Sequence, residues 1–416
     1  MYAIQQILDR LGGIRPGHTL PRSFYRDMDV YEFELENVFS RGWLLLGMES
    51  ELPEVGSYLA LTIGSSPILV IREKDGSIRG FHNICRHRGA RLCSEGVGRL
   101  TRIVCPYHKW TYDTDGRLLA APNASPDLER DSHGLVPLRI EVLEGCIYGA
   151  LSSAAPDFEP FRVAAAPFLS SYGLTRTKVA YQSELIEKAN WKLVMENARE
   201  CYHCAASHPE LKVSFPVSFG SGFRVTDGSR QDSFVAAMRQ AGLLVGPREG
   251  LWWHVGRYPL NPGVASVSRS GASIVSKKLL PDMPGELGGL RWATEPNVFC
   301  HAFEDYAFIF SAFPISPQET RVVAKWLVAA DAVEGVDYDL AELIYVWTQT
   351  NLEDRALAEN NQLGVNGIGY RLGPYMPVEE LVLRFNRWYV DAATRAAREL
   401  CGLADEPARS AAHSHA

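Results

Sequence analysis

The stretch that decides the fold is Cys85-Arg86-His87-Arg88-Gly89-Ala90-Arg91-Leu92-Cys93, followed after a short gap by Cys105-Pro106-Tyr107-His108-Lys109-Trp110. Each half offers one thiolate and one imidazole, Cys85 with His87 and Cys105 with His108, and seventeen residues separate His87 from Cys105. Four such ligands in two loops make a metal site. Tetrahedral zinc accepts a Cys2His2 set. So does a [2Fe–2S] centre in which two histidines bind one iron and two cysteines the other. Zinc fingers pair like with like; here each loop supplies one of each, as a cluster of two irons requires. Gly89 and Gly96 permit close backbone approach to inorganic sulfides. Pro106 stiffens the second loop, and Tyr107 and Trp110 are placed to shield the cluster and tune it. His82 and Cys93 fall outside the pattern and read as structural.

Outward from these loops the chain reads as a small all-β unit, from about Trp43 to Leu151. The runs LALTI, PILVIRE and IRGFHNI are rich in β-branched and aromatic residues and are broken by Gly, Ser and Asp. Asp75-Gly76 between two of them reads as a hairpin turn. Residues 1–42 form a leading segment with one expected helix, Tyr31–Trp43. A Pro- and Ala-containing stretch, Ser152–Pro167, is the natural boundary. Beyond it Tyr181–Ala189 reads as a strand and Trp191–His203 as a helix. Val213–Gly289 reads as loops with short strands. Ala307–Pro314 and Thr320–Ala330 read as adjacent antiparallel strands, and Asp339–Asn361 and Glu379–Leu400 as helices. The expected domains are 43–152 and 168–402, with a disordered tail over 403–416.

A second constellation follows the boundary. Asn197, Glu200 and His203 recur at intervals of three and so share one face of a helix. His208 lies about 140° further round, so it joins His203 only if the helix bends or ends, which Pro209 favours. Two histidines and a carboxylate with open positions make the facial triad of non-haem iron oxygenases. The carboxylate must come from elsewhere, and Asp354 is the best candidate. It ends the stripe Leu340, Leu343, Ile344, Trp347, Asn351 that begins as core, where a carboxylate is costly unless paired or metal-bound. Glu353 is adjacent but is expected to point off that face. The bland alternative is two satisfied core histidines and a salt-bridged Asp354.

The bulk properties agree. The chain has 416 residues, 46% hydrophobic and 22% charged, with a net charge of −7. That suits two soluble domains and argues against a nucleic-acid binder. No targeting segment or membrane-spanning run is evident, so the expected compartment is the cytoplasm. The eight cysteines read as metal ligands or small buried residues rather than as a disulfide framework.

The stretch CRHRGARLC…CPYHKWTYDTDGRL closely resembles the Rieske domain of ring-hydroxylating and N-demethylating oxygenases. ANWKLVMENARECYHC, SHPEL, KWLV, DAVEGVDYDL and ENNQLGV extend the resemblance over most of the chain. They look most like the branch acting on glycine betaine, stachydrine and carnitine. The fold this implies is α+β: an all-β Rieske domain, then a helix-grip catalytic domain with an antiparallel sheet and long helices. The resemblance implies a [2Fe–2S] cluster on Cys85, His87, Cys105 and His108, and Fe(II) on His203, His208 and Asp354. It also implies a homotrimer in which Glu200 bridges to a neighbour's His108. The partners implied are dioxygen, a small-molecule substrate and a separate flavin and ferredoxin-type reductase using NADH or NADPH. A trimethylammonium head needs aromatic faces. Trp253 and Phe303 are named as lining candidates among aromatics that are more often core. Two other readings remain: a Rieske oxygenase of an aromatic acid or natural product, and a non-enzymatic electron carrier. A carrier would have no use for His203, His208 and Asp354.

Overall fold

The computed structural model describes residues 2–217, 228–280 and 286–403. The tail from 404 onward, expected to be disordered, lies outside them. Two seven-stranded antiparallel sheets organise the chain. The first runs in the order Leu44–Met48, Cys146–Ala150, Pro137–Leu143, Ile78–His82, Ser66–Arg72, Ser57–Ile63, Gly96–Arg99. Its hairpin at Asp75-Gly76 forms as the sequence requires. Gly76 has φ +85°, and the Asp75 carboxylate accepts from the Ser77 amide at 2.9 Å.

A small three-stranded sheet, Ile103–Val104, Thr111–Tyr112 and Leu118–Ala120, packs beside the first. Leu69, Ile71 and Phe81 from the large sheet meet Ile103, Tyr112 and Leu118 from the small one in a core of their own. Cys85 and Cys105 are buried in that core.

The second sheet runs Thr177–Glu187, Glu319–Ala329, Ala307–Ser316, Cys300–Ala302, Gly289–Thr294, Trp253–Tyr258, Arg248–Glu249. Strand alternation splits its residues between two cores. Phe299, Phe303, Phe308, Phe310 and Trp326 face the long helix Leu340–Asn366. Trp253, Val255, Trp292, Cys300 and Ala302 face the helix Glu159–Leu169. A long helix held against one face of an antiparallel sheet is the helix-grip arrangement, so the α+β reading stands.

Several local expectations change. The stretch Ser152–Pro167 is not a bare linker: most of it folds into the helix Glu159–Leu169, whose Phe161, Ala165 and Phe168 are buried. The leading segment has a helix at Tyr2–Gly12, and the one expected at Tyr31–Trp43 starts at Met28 and ends by Phe39. Val213–Gly289 contains a helix at Gly228–Gln240. The leading segment is pinned from within. Glu34 accepts from Lys192 Nζ at 2.6 Å, from Trp191 Nε1 at 2.8 Å and from the Tyr389 hydroxyl at 2.5 Å. All four residues are buried.

Candidate metal centres

The two cluster loops have the same backbone. Cys85 N donates to Ala90 O and Gly89 N to Cys85 O; Cys105 N donates to Trp110 O and Lys109 N to Cys105 O. The fourth residue after each cysteine turns into the left-handed region, Gly89 at φ +76° and Lys109 at +59°. Glycine does so without strain; a lysine there is uncommon. Gly96 pairs with Ala60 on an edge strand and belongs to neither loop, contrary to its expected place beside the sulfides.

Each loop therefore buries its thiol and turns its imidazole outward. The rings of His87 and His108 lie 4.7 Å apart between centroids. Trp110 stacks on His87 at 5.0 Å, and Tyr107 stacks on His108 at 3.7 Å, so both pack against the imidazoles, although Tyr107 remains exposed. Sequence reasoning missed Tyr112. Its buried hydroxyl lies 3.4 Å from Cys85 Sγ and accepts from Arg86 N at 3.0 Å. A donor to a ligating sulfur tunes cluster potential. Burial pushes the Cys85 thiol up, and contact with Cys105 adds to this, while Tyr112 opposes it. A buried Cys85 thiol that resists ionisation alone, beside the buried Cys105 sulfur, suits a cation that deprotonates it.

At the second centre the helix Trp191–Ala198 starts on Asn190, whose side chain accepts from Lys192 N at 3.0 Å. It ends at Ala198, five residues earlier than the periodicity suggests. Glu200 and His203 therefore meet across a turn rather than along one helical face. A short helix, Cys204–Ser207, follows and stops at His208, whose φ −121° and ψ 79° are non-helical. This stop swings His208 back toward His203.

The outcome is a tight centre. His203 Nε2 lies 3.0 Å from His208 Nε2 and 3.1 Å from Asp354 Oδ1, and His208 Nε2 lies 3.0 Å from the same Oδ1. Donors bound at about 2.1 Å and at right angles to one another sit about 3.0 Å apart, the spacing of three neighbouring corners of an octahedron. Two imidazole nitrogens and a carboxylate oxygen at that separation could hold a cation between them. Burial works against a charge on His203, but Asp354 and Glu200 outweigh it and push His203 up to about 10. The same balance, with Asp354 dominant, raises His208. The centre attracts positive charge, which protons or a bound metal ion would supply.

The outer nitrogens are also held. His203 Nδ1 lies 2.5 Å from Glu200 Oε1, and His208 Nδ1 lies 2.7 Å from Glu353 Oε2. Glu353 thus belongs to the centre, although helical periodicity points it away; the acidic doublet Glu353-Asp354 was the only signal. Carboxylates on the outer nitrogens fix the tautomer that aims Nε2 inward. Replacing Glu353 with alanine is expected to weaken iron binding by roughly 10–100-fold while leaving the visible spectrum of the cluster intact. Iron retained after dialysis against a graded chelator measures it.

Cys204 Sγ is 3.9 Å from His203 Nε2 and could be counted among the ligands. It is joined to Cys201 in a disulfide, so it offers no thiolate, and Asp354 completes the set better. The pairing is local and departs from the reading of the cysteines as ligands or lone buried residues.

The two substrate-lining candidates separate. Phe303 lies on the inner face, 6.3 Å from Trp347 and 5.2 Å from Tyr306. Trp253 lies on the opposite face, 5.6 Å from Phe161. Strand alternation turns Trp253 away from the centre and gives the inner face to His254 and Tyr258 instead.

Two family models cover these two units. A Rieske [2Fe-2S] domain matches residues 42–141, and the catalytic domain of the ring-hydroxylating alpha subunit matches residues 174–395. The chain belongs to the Rieske ring-hydroxylating oxygenase family. This Rieske oxygenase is 39% identical over 392 residues to a glycine betaine monooxygenase oxygenase subunit of Chromohalobacter salexigens, covering 90% of this chain and 85% of the relative. Its counterpart from Pseudomonas aeruginosa is 41% identical, covering 89% and 88%. The biphenyl 2,3-dioxygenase alpha subunit of Rhodococcus jostii is 30% identical, covering 77% and 71%. A solved structure of the quaternary ammonium Rieske monooxygenase CntA superposes with a TM-score of 0.71, covering 93% of this chain and 98% of that one; at 23% identity the likeness is one of fold. As a Rieske oxygenase component, the protein carries a [2Fe–2S] cluster and a mononuclear iron. It takes electrons from a reductase and acts with dioxygen on a small molecule. No helix among the described residues is long and apolar enough to cross a membrane.

Proposed function

We propose that the protein oxidatively N-demethylates a betaine-like quaternary ammonium compound. In this reading Cys85, His87, Cys105 and His108 hold the cluster, and His203, His208 and Asp354 hold the iron. The observation that carries it is the mutual separation of the three inner donors, 3.0–3.1 Å, beside an aromatic sheet face. The identity to betaine monooxygenase subunits over nine-tenths of the chain supports the substrate class. Residues 43–152 form the cluster domain and 168–402 the catalytic domain, with residues 1–42 packed on the latter. The assembly is a cytoplasmic homotrimer served by a flavin and ferredoxin-type reductase.

When bound, the iron supplies the redox chemistry that activates dioxygen. The net reaction inserts one oxygen atom into a C–H bond of an N-methyl group; the other leaves as water, with two electrons from the reductase and two protons. The carbinolamine then breaks at its C–N bond. The bonding pair goes to nitrogen, the hydroxyl proton is lost, and formaldehyde and the tertiary amine result. Aromatic faces hold the cationic head without hydrogen bonds.

Glu200 is the link between centres. It accepts from His203 Nδ1, and its second oxygen accepts from Tyr202 N, so its carboxylate is fixed at the edge of the iron site. In the trimer it reaches a neighbour's His108. Glu200→Ala is expected to stop turnover even with iron supplied in excess so that both centres are filled, since the loss of its outer carboxylate also weakens iron binding; full activity in that variant would sink the bridging role. The substrate is tested by supplying glycine betaine, stachydrine and carnitine to the reduced enzyme and assaying formaldehyde. Formaldehyde from none of them would favour an aromatic or natural-product substrate.

A further inference from the structure

The inner face of the second sheet holds polar groups that the iron centre does not use. Arg291 and His301 are register partners on the strands Gly289–Thr294 and Cys300–Ala302, so their side chains leave the sheet on the same side. Phe299 and Phe303 flank His301 two residues away and share that side. His301 is 1% exposed. Its Nδ1 lies 2.6 Å from the Tyr258 hydroxyl, and its Nε2 has no hydrogen-bond partner. Buried polar nitrogens are rarely left unsatisfied without a reason.

Burial, then the nearby Arg291 charge, hold the imidazole far below its ordinary pKa, so the ring is neutral. The Tyr258 hydroxyl and Nδ1 share one hydrogen bond; in the tautomer in which the hydroxyl donates, Nε2 carries the ring hydrogen and presents a donor to an anion. Burial pulls the Arg291 guanidinium down to about 10, so it stays charged at neutral pH. This face is joined to the iron site by two rings. Trp347 stacks on His301 at 5.0 Å, and Phe215 meets it edge-on at 5.8 Å. Trp347 lies two turns before Asp354 on the long helix, roughly 10 Å of rise, and Phe215 follows His208 by seven residues.

We propose that Arg291 and His301 receive the carboxylate of a zwitterionic substrate, directing its methylated ammonium end past Trp347 toward the centre of His203, His208 and Asp354. The inference rests on the quaternary ammonium reading and adds that the anionic end sets specificity. A guanidinium fork matches a carboxylate in shape and charge. It repels a bare cation, so a trimethylammonium alcohol gains only the aromatic contacts.

The test compares glycine betaine with choline, which keeps the trimethylammonium head and replaces the carboxylate with a hydroxymethyl group. Formaldehyde formation is measured for the reductase-coupled holoenzyme, Arg291→Gln and Arg291→Lys, with cluster absorbance as the check on folding. The betaine-to-choline ratio of kcat/KM should fall by at least about 30-fold in Arg291→Gln, mainly through KM for betaine. Arg291→Lys, which keeps charge but loses the fork, should fall between. An unchanged ratio in Arg291→Gln overturns the anchor. If the wild type makes formaldehyde from neither compound, the demethylation reading fails, and thermal unfolding of the holoenzyme decides the anchor separately. Protection by glycine betaine that is lost in Arg291→Gln supports it; no protection of the wild type overturns it.

Discussion

Replacing Asp354 with alanine is expected to leave the protein coloured by its cluster but stripped of its mononuclear iron and of substrate oxidation. Asp354 Oδ1 lies 3.0–3.1 Å from both inner histidine nitrogens, so one atom closes two sides of the donor triangle. Without it the site keeps two imidazoles and no negative charge at the centre. The loss of iron affinity should exceed the roughly 10–100-fold that an outer carboxylate such as Glu353 is worth. Metal analysis should fall from about three irons per chain to about two, with acid-labile sulfide constant at about two. Iron retained at the wild-type level would remove Asp354 from the ligand set.

The second large effect concerns stability. Lys192→Met should destabilise the catalytic unit by about 3–5 kcal/mol. The ammonium is buried, 2.6 Å from Glu34, and lies over the rings of Trp191 and Tyr389 at 4.9 and 5.1 Å. Truncating it strands the Glu34 carboxylate in a core formed by the leading segment and the helices Trp191–Ala198 and Glu380–Leu400. With about 2.1 cal/mol/K of unfolding entropy per residue over roughly 400 residues, 4 kcal/mol lowers the melting temperature by about 5 °C. Pairing Lys192→Met with Glu34→Leu removes the stranded charge. The double variant should then lose far less than the sum of the two single losses. It should not recover fully, because Trp191 Nε1 and the Tyr389 hydroxyl lose their acceptor at about 1–3 kcal/mol each. Differential scanning calorimetry of the four proteins measures the coupling.

What could be read from the sequence was set by how local each cause is. Cys85, His87, Cys105 and His108 sit in two short loops whose spacing alone selects a two-iron cluster, and the loops take one shared backbone form. Asp354 was legible because a helix stripe that starts as core and ends in a carboxylate demands a partner. Glu353 was missed for the complementary reason. Periodicity describes where a helix residue points, and Glu353 reaches the centre only because the chain after Ala198 stops being helical and brings His208 to it. Trp253 was misplaced because aromatic content says nothing about which face of a strand a residue occupies; that depends on a register fixed by distant strands. Arg291 and His301 are ten residues apart in sequence and meet only through pairing of their strands. Glu34 and Lys192, 158 residues apart, are coupled only by packing.

In the proposed reaction, electrons stored in the cluster are spent on substrate at the second centre. Single turnover tests it most directly. The protein, reduced chemically and freed of reductant, is mixed with dioxygen in the presence or absence of glycine betaine, and cluster absorbance and formaldehyde are followed together. Fast cluster reoxidation is expected only when substrate is present, with formaldehyde appearing in step. Reoxidation at the same rate without substrate, and no formaldehyde with it, would rule out N-demethylation and leave an electron carrier.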